Sequence, residues 1–137
     1  MIRLFLIVSI FLIGVASRLQ SIAVKGRITC GEKPVSHSEV ELWDEDVGFF
    51  DSDDLLGKGR SNLTGHFYLT GSTDEYTEID PYMIIYHYCE DEKEGAKNEV
   101  KFTLPSKYIY DGQTPSRSLD FGVIDLGAIR QCRMLQS

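Results

Sequence analysis

The sequence predicts an all-β fold, an antiparallel sandwich of short strands, on two observations. Runs of alternating apolar and polar residues recur along the chain, separated by glycine, proline and acidic turn segments. No stretch beyond the first residues carries the three-and-four spacing of an amphipathic helix. Several short strands with regular turns and no helix to cover them bury their apolar faces against one another.

Residues 1–17 are read as a secretory signal peptide rather than as structure. Arg3 supplies the positive charge, Leu4 to Val15 an apolar segment, and Val15, Ala16 and Ser17 the small residues of a cleavage boundary. The apolar segment is about 12 residues, against about 20 for a membrane helix, so the chain is expected to have no transmembrane segment. The remaining chain is about 120 residues, one domain of normal size and long enough for a real core. Its boundaries are set at 18–126, with residues 127–137 as a C-terminal tail.

Ser21 to Cys30 alternates, Ile22, Val24, Ile28 and Cys30 against Lys25, Arg27 and Thr29, and reads as a half-buried strand ended by a turn at Gly31 to Pro34. In Glu39 to Asp44, Val40 and Leu42 oppose Glu39 and Glu41. Strict alternation places Trp43 on the glutamate side, which leaves two arrangements: a bulge turns it inward, or it packs under a loop on the outer face. Val47 to Gly59 reads as a long acidic loop with a short strand near its end. Gly65 to Gly71 is a strand with Phe67 and Leu69 inward, and after it comes a polar, loop-like Ser72 to Asp80. Pro81 excludes a helix just ahead of it. Tyr82 to Cys89 is apolar on both faces, hence central, covered twice or exposed as an aromatic stripe. Glu90 to Ala96 is a solvated turn. Val100, Phe102 and Leu104 mark a further strand, Ser106 to Thr114 a connection with room for one helical turn, and Leu119, Phe121 and Val123 the last strand.

A formal charge of −7 excludes nucleic acid as a partner and gives no general attraction to anionic lipid. Cys30, Cys89 and Cys132 cannot all pair within one chain. Three pairings are open, and Cys30–Cys89 is favoured because both residues end strand-like runs. Cys132 is then a free thiol or an intermolecular partner.

The strand text resembles the nematode transthyretin-like family of secreted proteins. The resemblance is carried, in order, by AVKGRITCG at Ala23 to Gly31, VELWDED at Val40 to Asp46, DLLGKG at Asp54 to Gly59, GHFYLTG at Gly65 to Gly71, IDPYMIIYHYC at Ile79 to Cys89 and VKFTLP at Val100 to Pro105. It implies a seven- or eight-stranded transthyretin-like (immunoglobulin-like) β-sandwich, an extracellular setting and the Cys30–Cys89 disulfide. It implies little chemistry, since fold alone does not give function. Hydroxyisourate hydrolases share the sandwich but use channel histidines and a C-terminal Tyr-Arg-Gly-Ser. Here no histidine stands in the first strand and the sequence ends Arg133-Met134-Leu135-Gln136-Ser137. These departures argue against that activity and against a hormone channel, and a hydrolase ranks last among the functions expected.

Three features remain as candidate sites. Trp43, Phe49, Phe50, Tyr86 and Tyr88, with Tyr82 beside them, form the best candidate binding surface, because tyrosine and tryptophan offer rigid contact area with a polar end. Their structural alternative is to cover a sheet face beneath the long loops. Asp44, Asp46, Asp51, Asp53 and Asp54 supply hard oxygen donors for calcium, although the stretch fails as an EF-hand at Gly48 and Leu55. The alternative is a solvated acidic loop. Asn62-Leu63-Thr64 is an N-glycosylation sequon in a turn. His37, His66 and His87 have no metal-ligand spacing, and His87 is expected as a packed, hydrogen-bonded core residue. The function expected is a secreted, non-enzymatic binding module without a resident cofactor, monomeric or a small oligomer, recognising a cell-surface protein or lipid. The alternative is an oligomeric carrier of a small hydrophobic ligand.

Overall fold

The computed structural model describes residue 14 and residues 16–48, 52–89 and 97–129. The signal segment up to Ile13, Phe49, Phe50, Asp51, the Glu90 to Ala96 turn, and Cys132 with the end of the tail lie outside the described residues. Two sheets pack face to face. The first is built on β1 (Arg18–Cys30), which pairs antiparallel with β5 (His66–Glu75) along Arg18 to Arg27 and with the short β2 (Lys33–Pro34) at Thr29 and Cys30. Its other edge takes β8 (Tyr110–Asp111) at Gln20 and Ser21, then β9 (Leu119–Asp125), which runs parallel to it from Val24 to Thr29. The second sheet is antiparallel throughout, in the order β4 (Asp54–Arg60), β3 (Glu39–Asp44), β6 (Pro81–His87), β7 (Asn98–Thr103). A single 3₁₀ turn, Ser106–Tyr108, fills the connection that had room for one.

The core is what alternation requires. Ile22, Val24 and Ile28 of β1 and Phe67 and Leu69 of β5 meet Val40 and Leu42 of β3, Met83 and Ile85 of β6 and Val100 of β7. Cys30 and Cys89 are joined with their Cα atoms 5.6 Å apart, tying the end of β1 in one sheet to a position two residues past the end of β6 in the other.

Three local readings change. The polar Ser72 to Glu75 is not loop: β1 starts early enough, at Arg18, to pair with it residue by residue as far as Glu75. Residues 20–24 are all buried, so the first half of β1 is covered on both faces. There Gln20 is fully buried, donating from Nε2 to Thr77 O (2.8 Å) and accepting from Ile79 N–H at Oε1 (3.0 Å), which pins the segment after β5. Val123 faces solvent, not the core. The β1–β9 register slips between Lys25 and Arg27, and Gly122 sits at φ 64°, a bulge that reverses the alternation and turns Ile124 and Leu126 inward instead. Beyond β9 the backbone turns helical at residues 126–129, where Asp125 Oδ1 accepts from Gly127 N–H at 3.0 Å in the manner of an N-cap and also from Gly31 N–H at 2.9 Å. No helix among the described residues is long and apolar enough to cross a membrane.

The sheets close on one another along β4 and β5. A Cβ on Gly57 would stand 2.4 Å from Thr70 O, and one on Gly71 2.7 Å from Leu56 Cβ. Only glycine lets the two backbones approach so closely.

Candidate functional site

The outer face of the second sheet gathers the aromatic residues. In β3 and β6 every second side chain points away from the core, which sets Glu39, Glu41 and Trp43 beside Tyr82, Ile84 and Tyr86, with Trp43 opposite Tyr82 and Glu41 opposite Ile84. The bulge beside Trp43 lies in β4. Leu42 pairs with Gly57 and Trp43 with Leu55, so Leu56 is the extra residue and turns inward while Leu55 stays half-exposed. Trp43 thus remains on the outer face, half-buried.

One carboxylate oxygen organises this face. Glu41 Oε2 accepts from Trp43 Nε1–H at 2.7 Å and from the Tyr86 hydroxyl at 3.4 Å. Next to it the Tyr82 hydroxyl donates to Asp53 Oδ2 at 2.6 Å. Two lysines lie over the rings, Lys101 Nζ 4.0 Å from the Tyr82 centroid and Lys97 Nζ 4.6 Å from that of Tyr86. Lys97 also reaches Glu39 Oε2 at 2.6 Å, and Arg60 its Oε1 at 3.2 Å. Burial first, then the bond to Asp53, pushes the Tyr82 hydroxyl far above the ordinary tyrosine range. Burial and the Glu41 charge raise Tyr86 too. The hydrogen bond from Tyr82 holds Asp53 low, and that from Lys97 holds Glu39 low. Protonation of these four groups is therefore fixed near neutrality. The face offers rigid rings, lysine charge and carboxylates for contact, and these groups are not poised to move a proton.

Past Tyr86 the strand leads to Tyr88, 57% exposed, at a groove of about 610 Å³ beside the disulfide; Val35, His37, Tyr86 and Lys97 also line it. His87, between the two tyrosines, is buried and accepts from Cys89 N–H at Nδ1 (3.1 Å).

At the other end of the sheet the acidic stretch does converge, with a different membership. Carboxylate oxygens of Asp44, Asp46, Asp54 and Glu75 all lie within 4.8 Å of one another. Asp53 is turned away, to the Tyr82 hydroxyl and to Asp46 N–H (3.2 Å), and Asp51 lies outside the described residues. Glu75 enters because β5 runs on past the expected loop boundary. Asp44 is 3% exposed and accepts from Asp80 N–H at 2.8 Å. Burial, and then the charges of Asp54, Asp80 and Asp53, raise its carboxyl. Burial and the charges of Asp44 and Asp46 likewise raise Glu75. A shared proton or a hard cation relieves such repulsion alike.

Of the expected surface, the structure brings Trp43 and Tyr86 together, sets Tyr88 at the neighbouring groove, and describes neither Phe49 nor Phe50. Glu41, Lys97 and Lys101 do not stand out in the sequence. The outward turn of Lys101 is readable from its alternation with Val100 and Phe102, but its place over Tyr82 depends on the β6–β7 register.

The family model described as the Transthyretin-like family (TTR-52) matches residues 25–105. Among curated proteins, transthyretin-like protein 46 of Caenorhabditis elegans is 43% identical over 126 residues, covering 90% of this chain and 69% of its own. Transthyretin-like protein 33 of the same organism is 39% identical, covering 78% and 74%. Transthyretin-like protein 2 is 37% identical, covering 84% of each chain.

Proposed function

The chain belongs to the transthyretin-like family, and from that premise we propose that it is a secreted, non-enzymatic binding module that recognises a cell-surface protein or lipid through the outer face of its second sheet. The observation that carries this reading is the set of aromatic side chains held in place there. Trp43 and Tyr86 share Glu41, and Tyr82 is tied to Asp53. Rings fixed by such bonds lose little conformational freedom on binding, and Lys97 and Lys101 add charge at the same surface. Export is supported by the Leu4 to Val15 segment and by a disulfide of the kind the secretory route permits.

The test is capture from cell surfaces and from vesicles with and without anionic lipid, comparing the wild type with Trp43→Ala, Tyr88→Ala and the Phe49→Ala/Phe50→Ala double variant. The reading expects a loss of about tenfold or more for Trp43→Ala at unchanged fold by circular dichroism, as for a buried aromatic anchor. Equal capture by every variant removes the face and the acidic loop together. Native mass spectrometry addresses the carrier alternative: an oligomer that co-purifies with a hydrophobic small molecule favours it over the binding module.

A further inference from the structure

We propose that Asn62 is the attachment point of an N-linked oligosaccharide, carried at the end of the sandwich opposite the acidic cluster. The inference rests on the secretory reading above and on the geometry of the turn between β4 and β5. Leu63 and Thr64 are exposed there, Leu63 at 77%. Among the described residues the Asn62 amide is held on its oxygen side only. Its Oδ1 accepts from Thr64 N–H at 3.1 Å, from the Thr64 hydroxyl at 2.9 Å and from His66 N–H at 2.9 Å. These three bonds all run to the oxygen, and all are exposed. Asn62 is itself exposed, and a planar amide with its oxygen tied into the turn carries its nitrogen on the other side of Cγ. The sequon hydroxyl and the amide are thus already in contact, with the nucleophilic atom left accessible.

The donor is an oligosaccharide linked through its anomeric carbon to a polyisoprenoid diphosphate. Asn62 Nδ2 forms a bond to that carbon. The bond from the carbon to the diphosphate oxygen breaks, its electron pair leaves with the diphosphate, and Nδ2 gives up one proton to base. The turn can keep its shape around the product. Arg27 Nε donates to Thr64 O at 2.9 Å, and Asn62 N–H donates to His66 O at 2.8 Å, so these backbone anchors stay in place when Nδ2 is substituted. The acidic cluster lies at the far ends of β4 and β5. From His66 to Glu75 an extended strand covers about 30 Å, so the sugar stands well away from Asp44 and Glu75.

The experiment expresses the full chain in a eukaryotic secretory host and recovers it from the culture medium. Intact mass and peptide mapping, before and after an amidase that releases N-linked glycans as it converts asparagine to aspartate, report residue 62. The wild type is expected to carry a glycan and to yield aspartate at position 62 on release. Asn62→Asp keeps the turn acceptor and Thr64→Ala keeps the asparagine, and both are expected in the medium without the glycan. Thr64→Ser is expected to restore it. Wild type in the medium with unmodified Asn62 overturns the proposal alone. Wild type retained in the cytosol overturns it together with the secretory reading.

Discussion

Glu41 Oε2 serves two aromatic donors at once, and its replacement separates their geometry from their charge. Glu41→Gln keeps the shape and an acceptor oxygen but weakens a charge-assisted bond, which should lower stability by about 1 kcal/mol. The measurement is the urea midpoint, with Trp43 emission as a local report. An unchanged midpoint and unchanged emission contradict the assignment. Asp44 presents the opposite case. Its carboxyl holds its proton more readily in the folded protein than in the unfolded chain, so stability falls as pH rises above the ordinary aspartate range. The penalty is fully present once pH passes the raised folded value and absent where both states are protonated. Asp44→Asn retains an oxygen for Asp80 N–H and lacks the charge. It should match or exceed the wild type in stability at neutral pH, and its lead should shrink on acidification. Urea midpoints across a pH series decide the matter, because the oppositely shifted Asp53 and Glu39 are common to both proteins. A lead that grows toward low pH contradicts the sign.

At the scale of the element, the contact of β4 with β5 sets a sharp contrast between two glycines in one strand. Gly57→Ala drives a methyl against Thr70 O, whereas Gly59→Ala meets only Leu69 Cδ1 at 3.5 Å, an ordinary contact. The first should cost about 2–3 kcal/mol by overpacking and the second less than about 1 kcal/mol. Equal urea midpoints for the two variants would sink this account of how the sheets close. The strands themselves are legible in the sequence wherever one face is buried and the other wet. Val40 and Leu42 against Glu39 and Glu41, and Phe67 and Leu69 in β5, sit where alternation puts them. What is not legible depends on partners distant in sequence. Ser72 to Glu75 is too polar to announce a strand and becomes one only because β1 reaches Arg18. Val123 looks like core until the Gly122 bulge reverses the face. For the same reason composition alone groups Asp44, Asp46 and Asp54, which do converge, yet it misses Glu75 and adds Asp53, which bonds elsewhere.

For the whole molecule, the Cys30–Cys89 bond is a disulfide crosslink between the sheets. Its partners are 59 residues apart, so the chain-entropy treatment predicts that Cys30→Ala/Cys89→Ala loses about 4 kcal/mol. The comparison is the urea midpoint of the oxidised wild type with that of the double variant. A loss under about 1 kcal/mol would show that the packed core, not the crosslink, dominates stability.

The occupied edges of β1 also set an order of events during synthesis. The strand is made early, yet its second edge is filled late, by β8 and then by β9, whose Leu119 pairs back to Val24. At ribosomal rates of about 5–20 residues per second, roughly 5–20 s pass between the emergence of these two segments. For that interval a long, apolar strand edge waits without its neighbour, a template for pairing between nascent chains. A chain released before Leu119 is made would leave the Val24 to Thr29 stretch of that edge without its partner, open to pairing with another chain.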